Sequence, residues 1–236
     1  YRRLFGDPIF LQSLFNTAIF AVLFSSLTLV ISPGLALLVR RSLQMGGLFR
    51  VLFFLPSVVS IVAAGLVWRW MFDTQHGLIN GLISAAGGTG PDWFGTPFLA
   101  MLTIVLMSAW RWSGYFMLVF LAGLEAIPDD LYEAAAIDGA GACQSFRRIT
   151  LPLVRRPMIF ALIVMLIRAQ NIFQEVYVMT GGGPGNATVT VAYRIWQTAF
   201  RHYQFGRAAA MSYLLFLVVL CVAVIQFLLI RRERER

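Results

Sequence analysis

The sequence contains no lysine: all 19 basic residues are arginine. That absence excludes a phosphate-binding P-loop, whose Gly-Lys-Ser/Thr step needs the lysine ammonium. If ATP hydrolysis of that kind drives this chain, it resides in another polypeptide. The bias itself fits a GC-rich genome, in which arginine codons displace lysine codons. Cysteine is scarce as well. Cys143 falls in a polar stretch and Cys221 in an apolar one, so no disulfide framework follows. The two histidines, His76 and His202, are far apart and stand in no cluster of metal-ligand spacing, so no metal site is expected. No nucleophile–base pair stands out, and no catalytic residue is assigned. Charged residues make up only 13% of the chain against 59% hydrophobic, with a mean hydropathy of +0.76, which excludes an ordinary soluble domain. The net charge of +8 raises the question of nucleic acid. The arginines flank apolar runs instead of forming a stripe, however, so the pattern is one of membrane topology.

Five apolar runs are long enough to cross a bilayer core, which takes about 20 helical residues. They are Leu14–Val39, Val51–Phe72, Phe98–Leu121, Met158–Met179 and Ala208–Ile230. Arg40, Arg41 and Arg50 bracket the first short connection. Arg147, Arg148, Arg155 and Arg156 lie in the third, and Arg231, Arg232, Arg234 and Arg236 close the chain. Alternating spans put all of these on one side, which is then the cytoplasm, with a cytoplasmic C-terminus. The expectation is an all-α, polytopic membrane helix bundle forming one transmembrane domain over 1–236.

The most informative stretch lies between the third and fourth runs, at 128–157. Pro128 suits the start of a helix, and Asp129 and Asp130 favour the positive end of its dipole. Leu131 to Asp138 predicts a short helix, and Gly139 and Gly141 predict a sharp reversal through positive φ. A second short helix over about Cys143–Thr150 is expected to end where Pro152 breaks it. The small side chains of Ala134, Ala135 and Ala136 allow another protein to approach closely. Leu131, Ile137, Phe146 and Ile149 supply apolar surface for packing or for a partner's groove. On spacing alone a plain connecting hairpin remains open.

The spacing Glu133-Ala134-Ala135-x3-Gly139-x9-Ile149-x-Leu151-Pro152 resembles the EAA signature of bacterial ABC-type importer permeases, matched at every fixed position. The resemblance implies that Glu133, Ala134, Ala135, Asp138, Gly139, Ile149, Leu151 and Pro152 form a coupling loop seated in a cleft of an ATP-hydrolysing subunit. It implies further partners: a second, homologous permease subunit, two ATPase subunits holding ATP and Mg, an extracytoplasmic solute-binding protein and membrane lipid. No nucleic acid and no cofactor bound by this chain is expected, nor any enzyme activity of its own. Members of that family usually carry one more span before a segment like Tyr1–Thr17. The resemblance therefore implies five spans of an expected six, in the bacterial plasma membrane. The run Thr180-Gly181-Gly182-Gly183-Pro184-x3-Thr188, followed by Tyr193 and Phe200, resembles the first-permease type of carbohydrate and glycerol-phosphate systems. Sugars, oligosaccharides or glycerol-phosphate esters are then the implied solutes, with Tyr177 and Trp196 as candidates for stacking on sugar rings.

The fourth run is unusually polar, with Arg168, Gln170, Asn171, Gln174 and Glu175 inside it. A charge at mid-bilayer costs roughly 2.5–3.5 kcal/mol on insertion scales, so such groups should face protein or water. Continuous helix would put Arg168, Asn171 and Glu175 on one face with Gln174 beside it, a candidate wall of a substrate path. Packing between helices is the competing reading of the same residues. Arg69, Arg111 and Glu125 lie near span ends and suit anchoring. The outer loop Asp73–Pro97 predicts a short interfacial helix around Gly77–Ala86 and a turn with Trp93 and Phe94. Gly182, Gly183, Pro184 and Thr188 mark a second outer loop whose backbone amides are candidates for holding an anion. The functional readings are an ATP-driven importer permease; as the alternative, an ATP-independent channel or ion-coupled carrier using Arg168 and Glu175; and, third, a membrane scaffold with no transport role.

Overall fold

The computed structural model describes residues 2–41 and 46–234, with side chains for 4–40 and 46–226. The arginines at 231–236 therefore lie outside the described side chains. Among the described residues every regular element is a helix. In chain order these are α1 (Arg2–Phe5), α2 (Pro8–Arg41), α3 (Gly46–Val58), α4 (Ile61–Met71), α5 (Leu78–Ala85) and α6 (Pro97–Glu125). Then come α7 (Asp130–Ile137), α8 (Ala142–Ser145), α9 (Leu151–Gln170), α10 (Gln174–Met179), α11 (Val191–Trp196) and α12 (Phe205–Arg234). Two wider π turns, Phe146–Thr150 and Gln197–Arg201, follow α8 and α11.

Among the described residues, four helices have the length and apolar character to cross a membrane: α2, α6, the run Ala142–Gln170, and α12 as far as Gln226. A fifth span exists if α3 and α4 are taken together. Local chemistry sets the starts of two of these helices. Asp7 accepts the Ile9 amide at 3.0 Å through its carboxylate, and Pro8 takes the first helical position, where no N–H is required. α2 therefore begins six residues before the apolar run does. Thr96 and Pro97 open α6 in the same way, with the Thr96 hydroxyl accepting the Leu99 amide at 3.4 Å.

Two expected spans are not single helices. The run Val51–Phe72 is interrupted at Val59 and Ser60. Pro56 removes an amide just before the break, and the Ser57 hydroxyl satisfies the Phe54 carbonyl at 2.7 Å. The run Met158–Met179 is interrupted at 171–173. There the Asn171 side-chain amide donates back to the Ile167 carbonyl at 3.1 Å, and the Thr190 hydroxyl takes the Ile172 carbonyl at 2.8 Å. Side chains thus replace the backbone bonds that a continuing helix would need.

The chain packs as two compact units. One comprises the residues up to Ser25, Val59–Ala109, and those from Met165 onward. Its core includes Leu4, Phe10, Val191, Met211 and Leu215. α10 lies against α4, where Gly65 faces the Val178 side chain closely enough that a Cβ would sit 3.0 Å from it. The other unit comprises Ser26–Val58 and Trp110–Val164. In it α6 meets α3 backbone to backbone, because Gly114 leaves no room for a Cβ against the Phe53 carbonyl. Gly123 meets the Pro157 ring of α9 in the same manner. Small residues at helix crossings are what permits such close approach in an apolar environment, where packing rather than the hydrophobic effect holds helices together.

Candidate functional site: an exposed helical knuckle

α7 starts after Pro128 and Asp129, and Asp130 and Glu133 occupy its first turn. It ends in a Schellman motif. The Gly139 amide donates to the Ala136 carbonyl at 3.1 Å and the Ala140 amide to the Ala135 carbonyl at 2.8 Å. That motif needs a left-handed residue at Gly139, which has φ +77°. Gly141, expected to share this role, is extended at φ −72° and simply precedes α8. The second short helix does not stop at Pro152 either. The π turn Phe146–Thr150 carries α8 straight into α9, with the Leu151 amide donating to the Phe146 carbonyl. The wider turn accommodates the missing amide and the bulk of the Pro152 ring without ending the helix.

The signature residues lie mostly in the open. Glu133, Ala134, Asp138, Gly139, Leu151 and Pro152 are exposed, while Ala135 and Ile149 are half-buried. Ile137 is 87% exposed at the tip of α7. On the side facing its own chain α7 presents Tyr132 and Ala135, three residues apart on one helical face. The spacing of the signature gave no sign of Tyr132. Its hydroxyl shares a 2.9 Å hydrogen bond with Thr150 and accepts one from Arg40 at 3.4 Å, and Arg40 also pairs with Asp129 at 3.2 Å. Asp129 thus spends its carboxylate on Arg40 and makes no side-chain cap. Nearby, Glu125, the last residue of α6, pairs with Arg50.

The polar residues of the fourth run do not form one helical face, since the helix ends at Gln170. Arg168 sits in the last turn of α9, Asn171 in the break, and Gln174 and Glu175 in the first turn of α10. Arg168, Asn171 and Gln174 are exposed and Glu175 is buried. Arg69 donates to the Val178 carbonyl at 3.4 Å, supporting the last turn of α10. Phe173, Tyr177, Tyr193 and Trp196 cluster with ring centroids 4.9–6.4 Å apart, Tyr193 stacked on Trp196 and Tyr177 edge-on to it.

The glycine-rich outer loop is tied down from within. The amides of Gly181, Gly182, Gly183, Ala187 and Thr188 already donate to Val176, Thr180, Thr180, Pro184 and Gly182 respectively. The Thr188 hydroxyl donates to the Gly183 carbonyl at 2.8 Å and pairs with Thr180 at 2.7 Å. Asn16 of α2 holds the Asn186 and Val189 carbonyls at 3.0 Å each. Amides so engaged do not form the anion cradle the composition suggested. Thr17, beside Asn16, accepts the Val191 amide at 3.0 Å, and these two polar residues at the start of an apolar run were the available signal for this clasp. Asp73, at the mouth of the other outer loop, accepts the His76 and Gln75 amides, and these bonds hold its carboxyl below the usual range.

Long apolar helices bearing an exposed, signature-carrying knuckle define a membrane-embedded transport component. The chain belongs to the family of binding-protein-dependent transport system inner membrane components, whose model matches residues 30–235. It is 36% identical to the sulfoquinovosyl glycerol transport system permease protein SmoG of Agrobacterium fabrum, over 99% of this chain and 76% of that one. To the trehalose/maltose transport system permease protein MalF of Thermococcus litoralis it is 35% identical, over 100% of this chain and 79% of the relative. The sn-glycerol-3-phosphate transport system permease protein UgpA of Yersinia pestis is 37% identical over 98% of this chain and 78% of its own length. A chain from a bacterial alginate ABC transporter, solved in complex with its alginate-pentasaccharide-bound periplasmic protein, has a TM-score of 0.89. It covers 98% of this chain and 81% of its own at 21% identity, a likeness of fold. The protein is thus a multi-pass membrane permease of an ABC-type importer. Family membership leaves the ATP-independent channel or carrier without support.

Proposed function

We propose that this chain is the transmembrane path of an ATP-driven importer for a sugar, oligosaccharide or glycerol-phosphate-type solute, and that α7 with Gly139 is the seat of its ATPase. The observation that carries the docking role is the exposure of α7. Its signature residues Glu133, Ala134 and Asp138 and its terminal Ile137 turn away from the rest of the chain. In this reading ATP and Mg are held by two ATPase subunits, a second permease completes the path, and a solute-binding protein delivers cargo from outside. The arginine-rich knuckle and the C-terminus then face the cytoplasm. The relatives named for sulfoquinovosyl glycerol, trehalose and maltose, and glycerol 3-phosphate share polyhydroxylated cargo, which supports that solute class.

Within the path, Arg168, Asn171, Gln174 and Glu175 gather around the helix break at 171–173 and are the candidates for meeting solute. Gly182, Gly183, Pro184 and Thr188 serve as a rigid outer strut. ATP moves the path only if the closed ATPase pair binds its outward-open form more tightly than its inward-open form. The test is reconstitution with the ATPase, permease and binding protein encoded beside this chain. Uptake of maltose, trehalose, glycerol 3-phosphate and sulfoquinovosyl glycerol is then measured with and without ATP. ATP-dependent uptake of one of them, lost in Glu133→Ala while the subunit still inserts, is the expected result. Uptake indifferent to ATP overturns the proposal.

A further inference from the structure

We infer that Tyr132 is the positioning residue through which movement of α7 reaches the membrane helices; this rests on the docking role proposed for α7. α7 is held to its own chain on one narrow face, and Tyr132 supplies the polar contacts there. Its hydroxyl meets Thr150 at 2.9 Å, and Arg40 donates to the same oxygen at 3.4 Å. The Arg40 guanidinium also lies over the Tyr132 ring, 5.2 Å from the centroid. Thr150 is 6% exposed and is the last residue of the π turn that leads into α9, while Arg40 stands in the last turn of α2. One phenol therefore joins three elements: the short helix, the head of one membrane helix and the foot of another.

The surroundings make that join matter. A cavity of about 470 Å³ opens beside it, lined by Leu37, Arg40, Tyr132, Phe146 and Thr150 among others. The hydroxyl bonds of Tyr132 run along the edge of this space, where a void offers no atoms to carry displacement by packing. The Arg40–Asp129 pair is a weaker strut, because Asp129 is 84% exposed and such pairs contribute little. The π turn is the compliant point. A rare, wide turn next to Thr150 lets the head of α9 follow α7 without breaking the helix. Nothing in the EAA spacing marks Tyr132 or Thr150, because the relay depends on which side chains face inward across the reversal.

The experiment uses the complete transporter with its ATPase, in proteoliposomes, and compares Tyr132→Phe, Thr150→Val and Thr150→Ser. Tyr132→Phe keeps the ring under Arg40 and removes only the hydroxyl. The expected result is that Tyr132→Phe and Thr150→Val retain the ATPase at the unaltered ratio and keep basal hydrolysis. Their stimulation of ATP hydrolysis by the binding protein falls about tenfold, the scale of one hydrogen bond. Thr150→Ser, which keeps the hydroxyl, retains the stimulation. Normal stimulation in Tyr132→Phe overturns the relay. So does loss of bound ATPase in both Tyr132→Phe and Thr150→Val, which would make the contact part of the seat itself. If the unaltered chain binds no ATPase, the docking role fails first, a result distinct from either.

Discussion

Asp7 accepts three hydrogen bonds, from the Ile9 amide, from Arg194 at 3.3 Å and from Arg207 at 2.6 Å, while its side chain is 8% exposed. Burial pushes its carboxyl up, but the bond from Arg194, the Ile9 amide and the charges of Arg194 and Arg207 outweigh it, and the net direction is down. A depressed folded pKa stabilises the protein above the ordinary aspartate range and loses that contribution as pH falls through the folded value. Asp7→Asn is expected to cost about 2 kcal/mol at neutral pH, since it leaves two arginines facing an amide. Thermal melting of the purified protein checks this. The gap between variant and unaltered protein should be constant near neutrality and close below about pH 3.9. Gly139 and Gly141 give a second test at this scale. Gly139→Val forces a β-branched residue to φ +77°, at a cost of about 1–2 kcal/mol, although no neighbour blocks a Cβ there. Gly141→Ala meets neither strain nor contact and should leave ATP-coupled uptake unchanged. Equal losses in the two variants would count against the Schellman assignment. The sequence showed two glycines suited to a reversal. Which one is left-handed follows from where the helix runs out, and composition does not contain that.

Element limits were legible at α5 and obscure wherever individual side chains set them, near ones such as Asp7 as well as distant ones. α5 begins and ends next to Gly77 and Ala86, as glycine spacing suggested. Breaks at 59–60 and 171–173 fall inside runs apolar enough to read as continuous, and they depend on Ser57, Asn171 and, from 18 residues away, Thr190. Pro152 misled in the opposite direction: a π turn absorbed it. The polar face inferred for Arg168, Asn171 and Glu175 failed for the same reason, since a helical angle has no meaning across a gap. Helix contacts were also invisible beforehand, and they supply a sharp prediction. Gly114→Ala puts a methyl group against the Phe53 carbonyl, and the α3–α6 contact must open, at about 1–3 kcal/mol. Gly34→Ala in α2 meets nothing within 4 Å and should gain about 0.5–1 kcal/mol from helix propensity. Melting of the two variants in one detergent should move in opposite directions; an unchanged Gly114→Ala would show that the helix spacing is set elsewhere.

For the molecule as a whole, the proposed coupling to an ATPase makes one demand: a chain without a P-loop must offer a surface that a partner can hold. α7 is the short element that presents the signature outward, and Ile137 is its most exposed large apolar side chain, at 87%. An isoleucine so exposed gains nothing for the isolated fold, so replacing it should leave helix content and membrane insertion intact. Seated in a partner's groove, it buries a side chain worth about 1.5–3 kcal/mol, or roughly ten- to a hundredfold in affinity. Ile137→Ser removes that apolar surface, and Ile137→Glu adds a charge that the groove would have to desolvate. Co-purification of the neighbouring ATPase should therefore weaken in the order unaltered, serine, glutamate, with circular dichroism unchanged throughout. Ile137→Leu conserves the apolar volume and should retain the ATPase. If all three variants held it at the unaltered ratio, α7 would be touching nothing that matters there, and the coupling surface would have to be sought elsewhere on the chain.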